Sequence, residues 1–500
     1  MSVRRWLCLA TALLCVTALF GCAAPLTESG SSSMTDVPAP QQSGPSVFSL
    51  PYSGDDTLNP FAAATEVNLQ LAGLLFDSLT VVDGTFTPRL SLASAIDAVD
   101  ATHIKVTLRR EALFSDGTSV QLSDVVASYR AARESRNYRA LLANVTAAKA
   151  DSRTGTVTFT LAKADPHAAA CLSFPVYKAA SATTERRKAP IGGGAYVLTQ
   201  TEEELFLQRN PNRKEACVYQ RIGLRHLPSS DSMYYGLASQ DITYYYNDLS
   251  AGDIPRVSAS SAVVDMNALL FLGVNSTKEG LSAPAVRRAL SSLIDRATLV
   301  SSVYAGWAKP ALTPFHPAWS GAQGLTGLSA SRDLAGALEL LNADGYGTGT
   351  GQKELALELI YCQDGPYRSA VAGFVRSELA SAGVAVTAVP LSYADYVSRL
   401  NAGTYDLYLG EVRLTPNMDL FPLLAGGSAG YGVAPDGAAG TAYTGYREGS
   451  VTAEAFTSAF VQDMPYIPLC WRCGFAAYDR RLSTVTPHGY DPYYGFINWR

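Results

Sequence analysis

Residues 355–389 read LALELIYCQDGPYRSAVAGFVRSELASAGVAVTAV, and this stretch decides the fold class. Residues 355–360 and 384–389 are short runs rich in apolar side chains, a pattern typical of strands. Between them, residues 367–382 repeat apolar side chains at the spacing of an amphipathic helix. Because a strand, a helix and a second strand follow one another, the stretch predicts a crossover unit in a mostly parallel sheet. The sequence therefore indicates an α/β fold.

Similar patterns extend from this unit toward the N-terminus. Residues 104–108 and 156–161 alternate between polar and apolar side chains, which predicts two strands. Residues 285–300 place their apolar side chains on one face and predict a single amphipathic helix, and residues 333–341 predict another. We find no internal repeat, so strands and helices alternate without a fixed period.

The composition describes a folded body with more than one lobe. The chain has 500 residues, more than a single hydrophobic core usually organises. Hydrophobic residues make up 47% and charged residues 17%, values that exclude a disordered chain. The formal net charge is −5 and the sequence has no basic cluster, so we expect no nucleic-acid partner.

The N-terminal region predicts an export signal. Two arginines precede a short apolar stretch, and residues 19–22 read LFGC, which resembles a bacterial lipobox. We predict that residues 1–21 are a lipoprotein signal peptide, that Cys22 is lipidated, and that residues 22–46 are a flexible tether rich in Ser, Pro and Gly. An ordinary signal peptide and an uncleaved anchor helix are the alternatives. The lipid would hold the body at the extracytoplasmic face of the cell membrane, in the periplasm if the cell has an outer membrane.

The cysteines do not form a complete disulfide framework. Three of the eight belong to the signal peptide or take the lipid, and an odd number remains, so at least one thiol is free. The remaining cysteines are Cys171, Cys217, Cys362, Cys470 and Cys473. The last two have the CxxC spacing of redox and metal sites, but they continue an apolar strand and no second pair completes a zinc site. Buried thiols or a local disulfide are the favoured interpretation.

Two further patterns suggest an enzyme without completing one. Residues 426–430 read GGSAG, which matches the nucleophile elbow with Ser428 as nucleophile. That motif needs a strand before it and a helix after it, and the glycine-rich residues that follow do not favour a helix. The five histidines are scattered, so we predict no metal ligands, no cofactor and no catalytic residue. Nickel carried on a chelator stays open as a ligand.

Several blocks of sequence resemble those of the family 5 extracellular solute-binding proteins, which serve peptide, nickel and opine ABC importers. The blocks are LNP at 58–60, FSDGT at 114–118, LSDVV at 122–126, GGGAY at 192–196, VRRAL at 286–290, IDR at 294–296, GTYD at 403–406 and MPYIPL at 464–469. They occur in the family's order from about residue 50 to the C-terminus. The departure is residues 426–450, which are short and rich in Gly and Ala where the family has a longer polar segment.

The resemblance implies a two-lobed, periplasmic-binding-protein-like fold with an extra subdomain in the N-terminal lobe. Two crossing strands would join the lobes, near residues 266–272 and 470–475, and the lobes would close on the ligand like a trap. The implied divisions are residues 47–65, 190–268 and 473–500 for lobe I, 66–189 for the extra subdomain, and 269–472 for lobe II.

The resemblance also implies where the ligand binds. Residues 407–413 look like the strand and turn that present an acid to the ligand's ammonium group in the peptide binders. Glu411 is therefore a candidate contact for an amine and Arg413 for a carboxylate, with an exposed loop ion pair as the alternative. Three residues near predicted strand ends are further candidates: Trp471, Tyr52 and Asn59. For Trp471, burial in the core is the alternative.

The function implied by the resemblance is capture and delivery rather than catalysis. We expect a lipid-anchored, monomeric solute-binding protein that binds an oligopeptide or dipeptide and passes it to the permease of an ABC transporter. The same fold can instead present a ligand to a membrane receptor, and this sensor role is the main alternative. An exported hydrolase is the other alternative.

Overall fold

The computed structural model describes Pro45 and residues 47–250, 259–365 and 367–500. The predicted signal peptide, the predicted lipidation site Cys22 and, apart from Pro45, the predicted tether lie outside the described residues. Among the described residues, every helix is too short or too polar to span a bilayer.

The strands, in chain order, are β1 (Phe48–Tyr52), β2 (Asp77–Ser78), β3 (Thr80–Val82), β4 (Pro88–Leu90), β5 (Ala93–Asp100), β6 (His103–Leu108), β7 (Val145–Asp151), β8 (Thr156–Leu161), β9 (Pro175–Val176), β10 (Tyr196–Gln200), β11 (Leu205–Arg209), β12 (Arg221–His226), β13 (Tyr244–Asn247), β14 (Ser260–Val274), β15 (Ala308–Pro310), β16 (Ala356–Cys362), β17 (Ala385–Leu391), β18 (Leu407–Arg413) and β19 (Tyr466–Tyr478). The α-helices are α1 (Glu66–Gln70), α2 (Ala72–Leu75), α3 (Leu122–Glu134), α4 (Ser230–Ala238), α5 (Pro284–Ser292), α6 (Arg296–Ser302), α7 (Leu334–Ala343), α8 (Arg368–Ala380), α9 (Tyr393–Ala402), α10 (Ala438–Glu448) and α11 (Ala453–Asp463).

The N-terminal lobe contains two four-stranded sheets. The first has the order β1-β12-β11-β10, in which β1 pairs with β12 in parallel. The second is the antiparallel sheet β5-β6-β8-β7 of the extra subdomain, covered by α3. The two strands predicted from alternation appear here as β6 and β8, which confirms both predictions.

The C-terminal lobe is built on the seven-stranded sheet β13-β19-β14-β18-β16-β17, with β15 on β19. Strands β16 and β17 pair in parallel and α8 connects them, so the predicted crossover unit is confirmed. Apolar residues recur along α8 because one face packs on the sheet, where Val371, Val375 and Leu379 are buried.

The long strands β14 and β19 run antiparallel and join the lobes. At one end, β13 pairs with β19, and at the other, β18 pairs with β14. The register between β14 and β19 shifts between Asp265 and Ala268. Such an irregularity bends a strand locally. Two large hydrophobic clusters, one for each lobe, lie on either side of this crossing.

The predicted single helix at 285–300 is wrong in one respect, because it is two helices, α5 and α6. The side chain of Asp295 caps α6 by accepting the Thr298 N–H at 2.7 Å. An N-cap carboxylate satisfies a helix donor that has no partner within the helix. Arg296 is buried and donates from Nε to the Pro468 carbonyl at 2.8 Å. Arg296, at the start of α6, therefore connects this helix to β19.

A buried charge network connects the segment after β8 to the C-terminal lobe. Arg447 Nη2 lies 2.9 Å from Asp165 Oδ2, and Arg447 Nη1 lies 2.8 Å from Asp419 Oδ1. Asn417 donates to Asp165 Oδ2 at 2.7 Å, and the Tyr443 hydroxyl accepts from Arg447 Nη1 at 2.9 Å. The side chains of Arg447 and Asp165 are only 3% and 1% exposed. We call these five residues the Arg447 network.

Candidate functional site

A cavity of about 940 Å³ lies where the two lobes meet. The N-terminal lobe lines it with residues of α1 and α2, with residues between 137 and 141, and with residues between 484 and 498, which we call the C-terminal wall. Residues 413–415, at and just after the end of β18, line it from the other lobe. A cavity lined by both lobes gives a ligand contacts on each side, which is what lobe closure requires.

Hydrogen bonds fix the C-terminal wall in place. The Tyr490 hydroxyl donates to the Leu414 carbonyl, and Asn267 Nδ2 donates to the same hydroxyl at 2.9 Å. Asn267 belongs to β14 and Leu414 follows β18, so one tyrosine connects the wall to the crossing region. The wall is therefore held against residues 413–415, which line the cavity from the other lobe.

Asp491 lies in this wall without a basic partner. Its Oδ1 accepts the Tyr493 N–H at 2.9 Å, and its carboxylate forms no ion pair with any described residue. A Cβ atom added to Gly73 would lie 2.7 Å from Oδ1, so glycine at this position of α2 leaves room for the carboxylate. Burial raises the pKa of Asp491 to about 6. Burial also raises the pKa of Tyr138, and the nearby charge of Asp491 adds to that rise.

A second carboxylate in the cavity, Asp77, is paired. Arg213 Nη2 lies 2.7 Å from Asp77 Oδ1. Burial raises the pKa of Asp77 to about 6, although the charge of Arg213 opposes the rise. Glu215 lies 3.9 Å from Arg213 Nη1 and adds to the negative charge around this pair. The guanidinium of Arg213 is therefore already neutralised by the protein.

The two residues proposed to face the ligand, Glu411 and Arg413, pair with other partners. Arg413 Nη2 lies 3.4 Å from Asp248 Oδ2, and Glu411 Oε1 lies 3.0 Å from Arg472 Nη1. Arg413 lines the cavity, and Glu411 is not among the lining residues. Glu66 also lines the cavity and has no ion pair within the described residues. Burial, and after it the charge of Asp248, raise the pKa of Glu66 against the opposing charge of Arg413.

The structure places the other three candidate residues outside the cavity lining. Tyr52 is 6% exposed at the end of β1, with its ring 5.9 Å from that of His226. Asn59 is buried, and its Nδ2 donates to the Thr183 carbonyl at 2.7 Å, so its amide supports the local backbone.

Trp471 is a core residue in this structure. It does not follow the last strand, as the sequence suggested, because β19 continues past it to Tyr478. Its side chain is fully buried, and its ring lies 5.0 Å from the ring of His316. A ring without an exposed face has no surface on which to stack a ligand.

The two enzyme patterns do not meet their structural requirements. A 3₁₀ turn at Phe421–Leu423 precedes Ser428, and the next helix, α10, begins only at Ala438, so the strand–turn–helix of a nucleophile elbow is missing here. Cys470 and Cys473 are free, buried thiols within β19. Burial raises the pKa of both thiols, that of Cys473 to about 12. A buried thiol that stays protonated is a poor nucleophile.

Sequence reasoning missed the carboxylates that line the cavity, Glu66 and Asp491. Glu66 opens a short helix, where an acid is common for reasons of helix capping alone. Asp491 stands in the stretch HGYDPYYGF at 488–496, which reads as a turn rich in aromatic residues. The density of tyrosines around Asp491 was the available signal, but it is equally typical of a half-buried surface.

Comparison with known proteins identifies the family. The family model described as bacterial extracellular solute-binding proteins, family 5 Middle, matches residues 87–429. The oligopeptide-binding protein AppA of Bacillus subtilis (strain 168) is 22% identical over 447 residues, which cover 81% of this chain and 80% of AppA.

Solved structures share the fold. The unliganded open form of MppA, a periplasmic murein tripeptide binding protein, has a TM-score of 0.75 at 20% identity, covering 90% of this chain and 96% of MppA. AppA from Bacillus subtilis in complex with a nonapeptide has a TM-score of 0.59 at 18% identity, covering 90% and 98%. NikZ from Campylobacter jejuni in complex with Ni(L-His) has a TM-score of 0.62 at 18% identity, covering 91% and 99%.

The chain belongs to the bacterial extracellular solute-binding proteins of family 5. The family resemblance and the two-lobed fold class predicted from the sequence are both confirmed.

Proposed function

We propose that this member of family 5 is a lipid-anchored, extracytoplasmic protein that captures a peptide between its lobes and delivers it to the permease of an ABC importer. The observation that carries the proposal is the cavity of about 940 Å³ lined from both lobes, by Tyr138 on one side and Arg413 on the other. Ligand contacts made from both sides stabilise the closed form relative to the open one. We expect the protein to act as a monomer, without a cofactor and without a catalytic step.

The peptide assignment draws on the cavity and on its relatives. AppA has been solved with a nonapeptide, and MppA is named for a murein tripeptide. A volume of about 940 Å³ is at the upper end of small-ligand sites, which suits a short peptide. NikZ holds a nickel–histidine complex in the same fold, so a metal chelate belongs among the ligands to be tested.

The lobes are proposed to be open in this structure. The TM-score is 0.75 with the unliganded open form of MppA, compared with 0.59 and 0.62 for the complexes of AppA and NikZ. A rigid rotation of one lobe lowers such a score without changing either lobe. Ligand binding would then rotate the lobes about the irregular register at Asp265 and Ala268.

We propose the lobe divisions expected from the sequence, with lobe I at 47–65, 190–268 and 473–500, the subdomain at 66–189 and lobe II at 269–472. The positions of the two hydrophobic clusters on either side of the crossing strands support this division. Val82, Phe86 and Ala170, which belong to the subdomain by number, pack in the cluster of lobe II. These residues are proposed to be the contact that the subdomain keeps with lobe II.

The lipid anchor is proposed at Cys22. The protein should fractionate with membranes, and Cys22→Ala should release it into the soluble extracytoplasmic fraction. Cys171→Ala, at a buried thiol, is the matched control and should leave the fractionation unchanged. Membrane retention of the Cys22→Ala protein would contradict lipidation at this residue.

The first test of capture is native mass spectrometry. A soluble form beginning at residue 23 is purified without denaturation, and any adduct is fragmented to identify it. A peptide adduct supports the proposal, and an adduct of nickel with histidine would replace peptide by chelate as the ligand class. If the protein carries no adduct, titration calorimetry with tripeptides decides the question, and the absence of binding there would contradict peptide capture.

A further inference from the structure

We propose that the cavity selects a ligand with a net positive charge and that Asp491 binds one of its ammonium groups. This inference rests on the proposed function, since it names the class of ligand that the same cavity takes. Its basis is the charge of the cavity lining, in which carboxylates outnumber the guanidinium groups that could pair with them.

Five charged side chains line the cavity: Glu66, Asp77, Asp491, Arg213 and Arg413. Both guanidinium groups already have a carboxylate partner. Arg213 lies 2.7 Å from Asp77, and Arg413 lies 3.4 Å from Asp248, which is not one of the lining residues. Glu66 and Asp491 remain, and neither has an ion pair within the described part of the chain. Glu66 shares the charge of Arg413 with Asp248, whereas Asp491 has no cation near it among the described residues, so the cavity offers one unmatched carboxylate and no unmatched cation.

The surroundings of Asp491 strengthen this conclusion. The titratable groups that face it are the phenols of Tyr138, Tyr244 and Tyr493 and the imidazole of His488, whose Nδ1 accepts the Asp491 N–H at 3.3 Å. Burial lowers the pKa of His488 to about 4, so this ring is neutral at physiological pH. No cation among these neighbours compensates the carboxylate. A ligand ammonium would form a charge-assisted hydrogen bond there, in surroundings that screen charge less than water does.

The glycine on the opposite side fits the same interpretation. A side chain at position 73 would come within 2.7 Å of Asp491 Oδ1. Gly73 and Asp491 both line the cavity, so the carboxylate packs against α2 and still borders the cavity.

Proton uptake provides an independent signature of this contact. Burial raises the pKa of Asp491 to about 6, so its carboxyl group loses charge as the pH falls below that value. An ammonium ligand prefers the charged form and must compete with the proton. Its affinity should therefore be constant above pH 7 and decrease as the pH falls from 6 to 5.

The experiment is titration calorimetry on the soluble form that begins at residue 23, with trilysine, trialanine, triglutamate and spermidine as probes. We expect trilysine to bind at least tenfold more tightly than trialanine, and triglutamate to bind more weakly still. Asp491→Asn should lower the affinity for trilysine at least tenfold and remove its decrease between pH 6 and 5. Asp491→Glu should retain part of the binding. Asp479→Asn, outside the cavity, is the control and should bind like the original protein.

The outcomes separate this inference from the proposed function. Tight binding of trialanine or triglutamate together with weak binding of trilysine would support peptide capture and overturn selection for positive charge. Unchanged trilysine affinity in Asp491→Asn would overturn the assigned role of Asp491. Failure of all four probes would count against both. Spermidine bound as tightly as trilysine would support the ammonium site while showing that the peptide backbone is not what the cavity recognises.

Discussion

The Arg447 network and the cavity hold buried charges in opposite ways. In the network, Arg447 contacts two carboxylates and a phenol, and Asp165 also accepts hydrogen bonds from Asn417 and from the His167 N–H. In the cavity, Asp491 accepts one backbone hydrogen bond and has no cation among the described residues. Both regions lie where the lobes meet, so the difference is one of chemistry more than of location.

This contrast separates a structural use of charge from a functional one. Burial alone would lower the pKa of Arg447, but Tyr443, Asp165 and Asp419 together raise it, so the network favours the charged guanidinium. Burial raises the pKa of Asp491, which means that the fold disfavours its charge. A group that destabilises the protein in its charged form, inside a cavity, is typical of a binding site. Burial raises the pKa of Asp165 as well, but there the charge of Arg447 opposes the rise, whereas at Asp491 no cation of the described residues opposes it.

The largest expected effect comes from breaking the Arg447 network. Arg447→Met removes the guanidinium and leaves Asp165 buried without its cation, which should reduce the free energy of unfolding by about 3–5 kcal/mol. Urea unfolding of the soluble form at pH 7.5 measures the change. The matched control is Arg481→Ala, which removes an exposed arginine paired with Asp479 and should have a several-fold smaller effect. Equal losses in the two variants would show that burial of the network does not matter.

Replacing Asp491 is expected to raise the free energy of unfolding, in contrast to the loss expected for Arg447. Its pKa of about 6 in the folded protein exceeds the usual value near 4 of an unfolded chain. The stability that this group contributes is therefore present below about pH 4 and lost as the pH rises through 6. Asp491→Asn, which cannot ionise, should raise the free energy of unfolding by about 1–3 kcal/mol at pH 8, by about half as much at pH 5, and hardly at all below about pH 3.5.

Asp479→Asn is the informative control for that prediction. Hydrogen bonds from Arg481 lower the pKa of Asp479, so loss of its charge should destabilise the protein where loss of the Asp491 charge stabilises it. Thermal unfolding of both variants at pH 5 and pH 8 measures the two signs. A destabilised Asp491→Asn protein at pH 8 would mean that the carboxylate has a structural partner.

The sequence predicted the fold because the fold depends on repeated patterns. The crossover of β16, α8 and β17 was readable because apolar runs predict the two strands and the helical spacing of apolar residues between them reports burial on one face. The break between α5 and α6 was not readable from periodicity, because both halves keep their apolar residues on the same face. It depends on Asp295 as an N-cap and on Arg296 reaching β19, and both are contacts that only the folded chain shows.

The site was predicted less well for a related reason. Arg413 was found because it ends a strand in a stretch that resembles the peptide binders, and it does line the cavity. Asp491 lies 78 residues further along, by its number, and reaches the cavity only through the packing of the C-terminal wall. Trp471 suggested ligand stacking because aromatic residues suit that role, yet its place within β19 buries it. Residue type indicates what a side chain can do, and tertiary packing decides whether it is in position.

His167, which lies close to Arg447, tests the network through the dependence of stability on acidic pH, with a smaller expected effect. Burial, and after it the charge of Arg447, lower the pKa of His167 to about 4, and its Nε2 lies 3.0 Å from the Tyr446 hydroxyl. Below pH 6.5, the usual pKa of an unfolded histidine, His167 is protonated in the unfolded chain but stays neutral in the folded protein. The free energy of unfolding therefore decreases as the pH falls from 6.5 to 4. His167→Asn should reduce that loss by about 2 kcal/mol in urea unfolding compared at pH 7 and pH 4.5. Equal shifts of the variant at both pH values would contradict a neutral, buried histidine.

The smallest expected effect, at Glu411, tests the comparison most directly. Glu411 is an acid near the cavity, as Asp491 is, but Arg472 already pairs with it at 3.0 Å and its side chain is 24% exposed. Glu411→Gln should lower the free energy of unfolding by about 0.5 kcal/mol, the usual value for a partly exposed pair, and change the affinity for trilysine less than threefold. Titration calorimetry beside Asp491→Asn compares the two acids under one condition. A tenfold loss from Glu411→Gln would mean that proximity to the cavity, and not the absence of a partner, decides which carboxylate binds the ligand.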